Sequence, residues 1–289
     1  MNGEAPIRAG QLFWASAVGS IGLHAWLLFA NGPLHGGADL NPHLRLIQLM
    51  VDEPALRTPY PPTYHALGAL LTPWIGLSAY PKWFALVSAI GLIAGFRSFQ
   101  RGAGLPDEAS ALFAWAPYAF SLSWCLPKIE AAGYAIAFAA LGLLVRRHYV
   151  GLALALAATF FVHTAAALFA GLCGGVLALS RRDARALGAL AIGSLGAVPL
   201  LASHLAAGCS LAESLLFSPG DYLRSQSPVW SLDRFLRVFV LAGPIAIAAA
   251  LFGARHLWER ERSLAVLCVV VLALYLNELW LARSESERR

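Results

Sequence analysis

Residues 146–182 read RRHYVGLALALAATFFVHTAAALFAGLCGGVLALSRR, an apolar stretch closed at each end by an arginine pair. The 33 residues from His148 to Ser180 are too many for one helical crossing of a hydrocarbon core about 30 Å thick, which takes about 20 residues. Arginines at the ends of short loops mark the cytoplasmic side of a span. Both pairs lie on that side only if the chain crosses an even number of times between them. Two short spans meeting near His163 satisfy length and parity together.

Working outward, the same parity organises the rest of the chain. Basic clusters fall at Arg97 and Arg101, at Arg146 and Arg147, at Arg181, Arg182 and Arg185, and at Arg255, Arg260 and Arg262. Placing all four inside leads to a first span over 11–31, a long outer loop over 32–80 and a second span over 81–96. Further spans are expected over 108–123 and 130–146, then the two short ones, then 184–205. A second outer loop covers 206–232, and spans over 233–254 and 263–281 follow, which makes about nine crossings. Segment 62–79 is short and interrupted by Pro73 and Gly76, so it reads as an interfacial or re-entrant piece of the first outer loop. The expected fold is an all-α, polytopic transmembrane bundle forming a single domain over 1–289. Its N-terminus is cytoplasmic and its large loops lie outside, on the periplasmic or extracellular side.

Composition agrees. The chain is 58% hydrophobic and 13% charged, with mean hydropathy +0.64, against roughly 25% charged in soluble domains. The apolar stretch 11–30 after Arg8 has no clear small-residue cleavage site and reads as an uncleaved span. Cys125, Cys173, Cys209 and Cys268 have neither disulfide-framework nor zinc spacing. The net charge of +5 is spread over loops as a topology signal, with no basic stripe interleaved with aromatics, which argues against nucleic acid.

The first outer loop carries most of the polar chemistry. Asn41-Pro42 is a helix-starting pair. Beyond it Arg45, Gln48 and Asp52 make a polar row and Leu44, Ile47 and Val51 an apolar one, as in a helix lying on the membrane surface. Asp39 just precedes this helix, where the positive end of the dipole favours a carboxylate. Prolines 59, 61 and 62 impose extended geometry ahead of Tyr64 and His65. Together with Arg45 and Arg57 these residues offer a base and phosphate ligands, while an ordinary solvated loop accounts for the same pattern. His163 is either a second polar group of that cavity or a residue satisfying local backbone at a turn. Glu278, segment 218–224, His24 and Trp26 read more simply as end-of-span, connector and packing features.

Three segments, GADLNPHLRLIQLM at 37–50, PYPPTYHALGALL at 59–71 and LPKIEAAGYAIAFAALGLL at 126–144, resemble the membrane module of GT-C glycosyltransferases over roughly residues 10–205. The resemblance implies inverting transfer of a hexosyl or pentosyl group from a polyprenyl-phosphate sugar. Asp39 and Glu130 match the family's acidic residues in the first and next outer loops. Arg45, Arg57, Tyr64, His65, Lys128 and His163 are then the candidate substrate ligands. Stabilisation of the leaving phosphate falls to Lys128, Arg57 or Arg45, or to a divalent cation, Mg or Mn, shared by Asp39 and Glu130; some members of the family work without a metal. The expected partners are the lipid-linked sugar and membrane lipid. Two alternatives differ in class: a non-catalytic subunit packing against membrane-protein partners through its small-residue spans, and a secondary transporter, for which no inverted repeat is evident.

Overall fold

A computed structural model of the protein describes residues 4–30, 40–53, 61–115 and 129–206, with Trp258, Arg262, Ala265 and Val266 beyond them. Its helices are α1 (Glu4–Ala30), α2 (Leu40–Asp52), α3 (Thr63–Ile75), α4 (Tyr80–Gly102), α5 (Asp107–Trp115), α6 (Ile129–Val145), α7 (Tyr149–Val162), α8 (Thr164–Ser180), α9 (Ala184–Ser194) and α10 (Ala197–Ala206). No strand occurs among the described residues. Contacts divide the chain into two compact units, 1–174 with 185–203 and 175–184 with 204–289; the packing below is that of the first.

Three stretches among the described residues are long and apolar enough to cross a membrane: Gly10–Ala30, Tyr80–Gly102 and Ala184–Ala202. Ala131–Val145, Tyr149–Val162 and Thr164–Ser180 are apolar but shorter. The expected spans over 233–254 and 263–281, the second outer loop and the far half of 108–123 lie outside the described residues. As expected from the arginine pairs, α7 and α8 are two short helices meeting at His163. At 1.5 Å per residue the 14 residues of α7 reach only about 21 Å, well short of the core thickness.

The centre of the first unit is the pairing of α4 with α6. Its closeness comes from glycine: a Cβ on Gly95 would lie 2.3 Å from the carbonyl oxygen of Ala135, and one on Gly91 3.3 Å from the Ala135 Cβ. Gly91 and Gly95 sit one turn apart, the small-residue spacing that lets membrane helices touch backbone to backbone. Further along, Gly142 of α6 meets Ser98 and Phe99 of α4 in the same way. Around this seam Phe96, Phe113, Phe138 and Phe169 form an aromatic stack, with Phe96 and Phe113 parallel at 3.9 Å. Helix α5 leans on α1, where Ser20 donates to the Ala114 carbonyl at 2.7 Å.

One expectation needs correction and another gains a detail. The second span was expected to end at Phe96 with Arg97 in a cytoplasmic loop. Instead α4 runs on to Gly102, because Arg97 is not solvated: it is buried, its guanidinium lies 3.4 Å over the Phe13 ring, and it reaches Asp107 at 3.7 Å. The span expected over 184–205 keeps its place, Ala184–Ala202 being long and apolar enough to cross, with a tightened turn at Leu195-Gly196, whose amides bond three residues back rather than four. This tightened turn brings Gly196 onto the Ala157 backbone of α7, where an added Cβ would lie 2.7 Å from the Ala157 Cα.

Candidate functional site

The loop helices α2 and α3 pack on the start of α4 through one buried cluster. Ile47 of α2, Tyr64 of α3 and Tyr80 of α4 are its core, flanked by Leu44, Leu77 and Phe84. Gly68 makes the approach possible, since a Cβ there would meet Ile47 at 2.6 Å and Tyr80 at 3.0 Å. The expected apolar row of α2 holds for Leu44 and Ile47, but Val51 is exposed with Arg45, Gln48 and Asp52. Helix α3 turns Leu70 and Trp74 outward, Trp74 being 86% exposed.

Within this cluster the polar groups are few and paired. Tyr80 donates its hydroxyl hydrogen to the Tyr64 carbonyl at 2.6 Å. Tyr64 lies edge-on to Phe84 at 4.7 Å, and its buried hydroxyl has no hydrogen-bond partner among the described residues. Burial therefore raises the Tyr64 pKa and keeps the phenol neutral. His43 Nδ1 and His65 Nε2 are 2.8 Å apart, with His65 wholly enclosed at 0% exposure. One ring donates to the other across this contact, and which one does so is set by their tautomers. Burial, His43 and the Pro61 bond together hold His65 down to about 4, the first two lowering it and the last opposing them.

Helix α3 is tied to the α7–α8 junction by Thr63, which donates to the Phe161 carbonyl at 2.7 Å. Two residues on, His163 is extended (φ −161°, ψ 112°). Its amide bonds back to Thr159, its carbonyl accepts from Ala167, and its Nδ1 accepts the Ala166 amide at 3.2 Å. It thus caps α8 in the manner of an Asx or Ser N-cap, as the local-backbone reading of this histidine expects. Gly133 of α6 presses on it, for a Cβ there would lie 2.5 Å from the His163 Cβ.

The structure accordingly brings together Tyr64, His65 and the His163 turn, and it adds His43, Thr63 and Tyr80, which sequence reasoning had not singled out. His43 lies four residues before Ile47, on the inward row of α2, and that spacing was the available signal. Arg45 is exposed on the opposite, polar row. Asp39, Arg57 and Lys128 lie outside the described residues, as does the Glu130 side chain; the Glu130 backbone is the second residue of α6.

No group of three or more His, Cys, Asp or Glu residues able to hold a metal occurs among the described residues. The histidine pair does not fit one. Two nitrogens each about 2.05 Å from a tetrahedral zinc lie about 3.3 Å apart, whereas 2.8 Å is a hydrogen bond. The expected Mg or Mn site between Asp39 and Glu130 rests on side chains outside the described residues. No family model, curated protein or solved structure matches the chain.

Proposed function

We propose that the chain is a membrane glycosyltransferase of GT-C-like architecture, with about nine spans, moving a sugar from a polyprenyl phosphate to an acceptor at the outer face. The observation that carries this reading is the convergence of α2, α3, the His163 turn and the beginning of α6 at one end of the bundle, through His43–His65, Thr63–Phe161 and Gly133–His163. Asp39 is the residue before α2 and Glu130 lies one turn before Gly133, which is why the reading assigns both carboxylates to this end. In it, Asp39 takes the proton of the acceptor hydroxyl as the new glycosidic bond forms, and the bond from the sugar to phosphate breaks on the opposite face. The phosphate leaves with the electron pair, stabilised by Lys128, Arg57 or Arg45. A divalent cation between Asp39 and Glu130 would supply further charge stabilisation there. Tyr64 and His65 are buried and His43 is half-buried against His65, so their part is to position the loop helices.

A non-catalytic subunit is the second reading, favoured by the burial of Tyr64 and His65 in an aromatic core where substrate ligands were expected. The two separate in proteoliposomes offered a panel of polyprenyl-phosphate hexoses and pentoses with membrane-extracted acceptor. The transferase reading expects release of polyprenyl phosphate, lowered at least ~100-fold in Asp39→Asn with unchanged protein yield. Full transfer by Asp39→Asn removes Asp39 from the site. No transfer from any donor, with stable co-purification of other membrane proteins, assigns the chain to the second reading.

A further inference from the structure

Away from the histidine end, α1 and α4 enclose a pocket of about 370 Å³ whose walls include Phe13, Ile21, Ile90 and Ile93 and whose end is lined by Arg97, Arg101 and Arg146. The arginines are arranged rather than merely adjacent. Arg146 donates to the Ser98 hydroxyl at 3.1 Å and to its carbonyl at 2.7 Å. Arg97 is held over Phe13, and Asp107 lies 3.7 Å from it and 3.9 Å from Arg101. One carboxylate thus answers two of the three guanidinium groups, and Arg146 has no ion pair with it. Arg97 is itself buried, and its Nη1 has no hydrogen-bond partner among the described residues. A buried guanidinium nitrogen left unbonded is costly, so the site is short of both negative charge and hydrogen-bond acceptors. An apolar shaft open along a membrane-spanning helix, ending in excess cationic donors, has the form of a basic pocket that takes a lipid head group.

The geometry points to a binding site for an anionic phospholipid, its phosphate on Arg97, Arg101 and Arg146 and one acyl chain along the α1–α4 shaft. The assignment is independent of the transferase reading, since it concerns the opposite end of the bundle. Charge complementarity selects this occupant over a zwitterionic lipid, and the apolar walls select it over free phosphate.

The full chain in neutral detergent tests it by thermal unfolding with added dioleoyl phosphatidylglycerol, dioleoyl phosphatidylcholine or inorganic phosphate. The expected result is a rise in Tm with phosphatidylglycerol alone, and an affinity about tenfold or more weaker in the Arg101→Gln, Arg146→Gln double variant. The variant loses the Arg146–Ser98 hydrogen bonds and the Arg101–Asp107 pair, so each lipid shift is read against the variant's own lipid-free Tm. Equal shifts by the two lipids, a shift by phosphate alone, or an undiminished shift in the variant overturns the proposal. If the variant fails to accumulate, native mass spectrometry of the wild-type chain in an equimolar lipid mixture decides: retention of phosphatidylglycerol supports the site, and indifferent retention rejects it.

Discussion

At the scale of single residues, His65 is the group whose environment makes the sharpest demand. An enclosed imidazole without compensating charge stays neutral, and His43 beside it disfavours protonation further. Its pKa is about 4 against an ordinary 6.5, so between those values the unfolded chain binds a proton that the folded chain does not. Stability from this group is therefore fully present above pH 6.5 and is lost as pH falls towards 4, by about 3 kcal/mol in total. Thermal unfolding followed by circular dichroism in detergent from pH 7.5 to 4 should show Tm falling across this window. A His65→Gln variant should start lower and fall less steeply, and parallel curves would refute the assignment. The residue types at this site were legible because prolines 59, 61 and 62 set an extended segment directly ahead of Tyr64 and His65. Which way those side chains face was not. His65 meets His43, 22 residues earlier, and Tyr64 meets Tyr80, 16 later, and no local pattern encodes either pairing.

At the scale of elements, the seam between α4 and α6 rests on missing side chains. Gly95→Ala introduces a methyl 2.3 Å from a backbone oxygen, so one helix must move away, which costs about 1–3 kcal/mol as overpacking does. Gly22→Ala in α1 meets nothing within 4 Å and should be neutral or slightly stabilising, since alanine favours a helix over glycine. A lower Tm for the first and an equal or higher one for the second is the expected pair of results. Similar melting of both variants would mean that the seam is looser than described. The elements themselves were readable where charge bounded them, as the α7–α8 pair between Arg146-Arg147 and Arg181-Arg182 illustrates. They were misread where an arginine is buried. Arg97 signals a loop only while it is assumed to be solvated, and Phe13 and Asp107, which satisfy it, come from other helices.

At the scale of the whole molecule, the ends of the first unit differ in kind. Contacts of Arg146 with Ser98 and of Gly102 with Val145 set the arginine-bearing ends of α4 and α6 side by side, and the loop helices and the His163 turn gather at the other ends. Arginine excess marks the cytoplasmic face in most membrane proteins, so the proposed topology puts His148 inside and the exposed face of α2 outside. At that end α3 is tied to the α7–α8 junction by Thr63. In a chain with its four cysteines replaced by alanine, Arg45→Cys should react with a membrane-impermeant maleimide in right-side-out vesicles and be protected in inverted ones. His148→Cys should do the reverse. Labelling of both from one face would remove the outer placement of the loop helices, and with it the transferase reading that requires Asp39 and Glu130 to meet a lipid-linked sugar on that side.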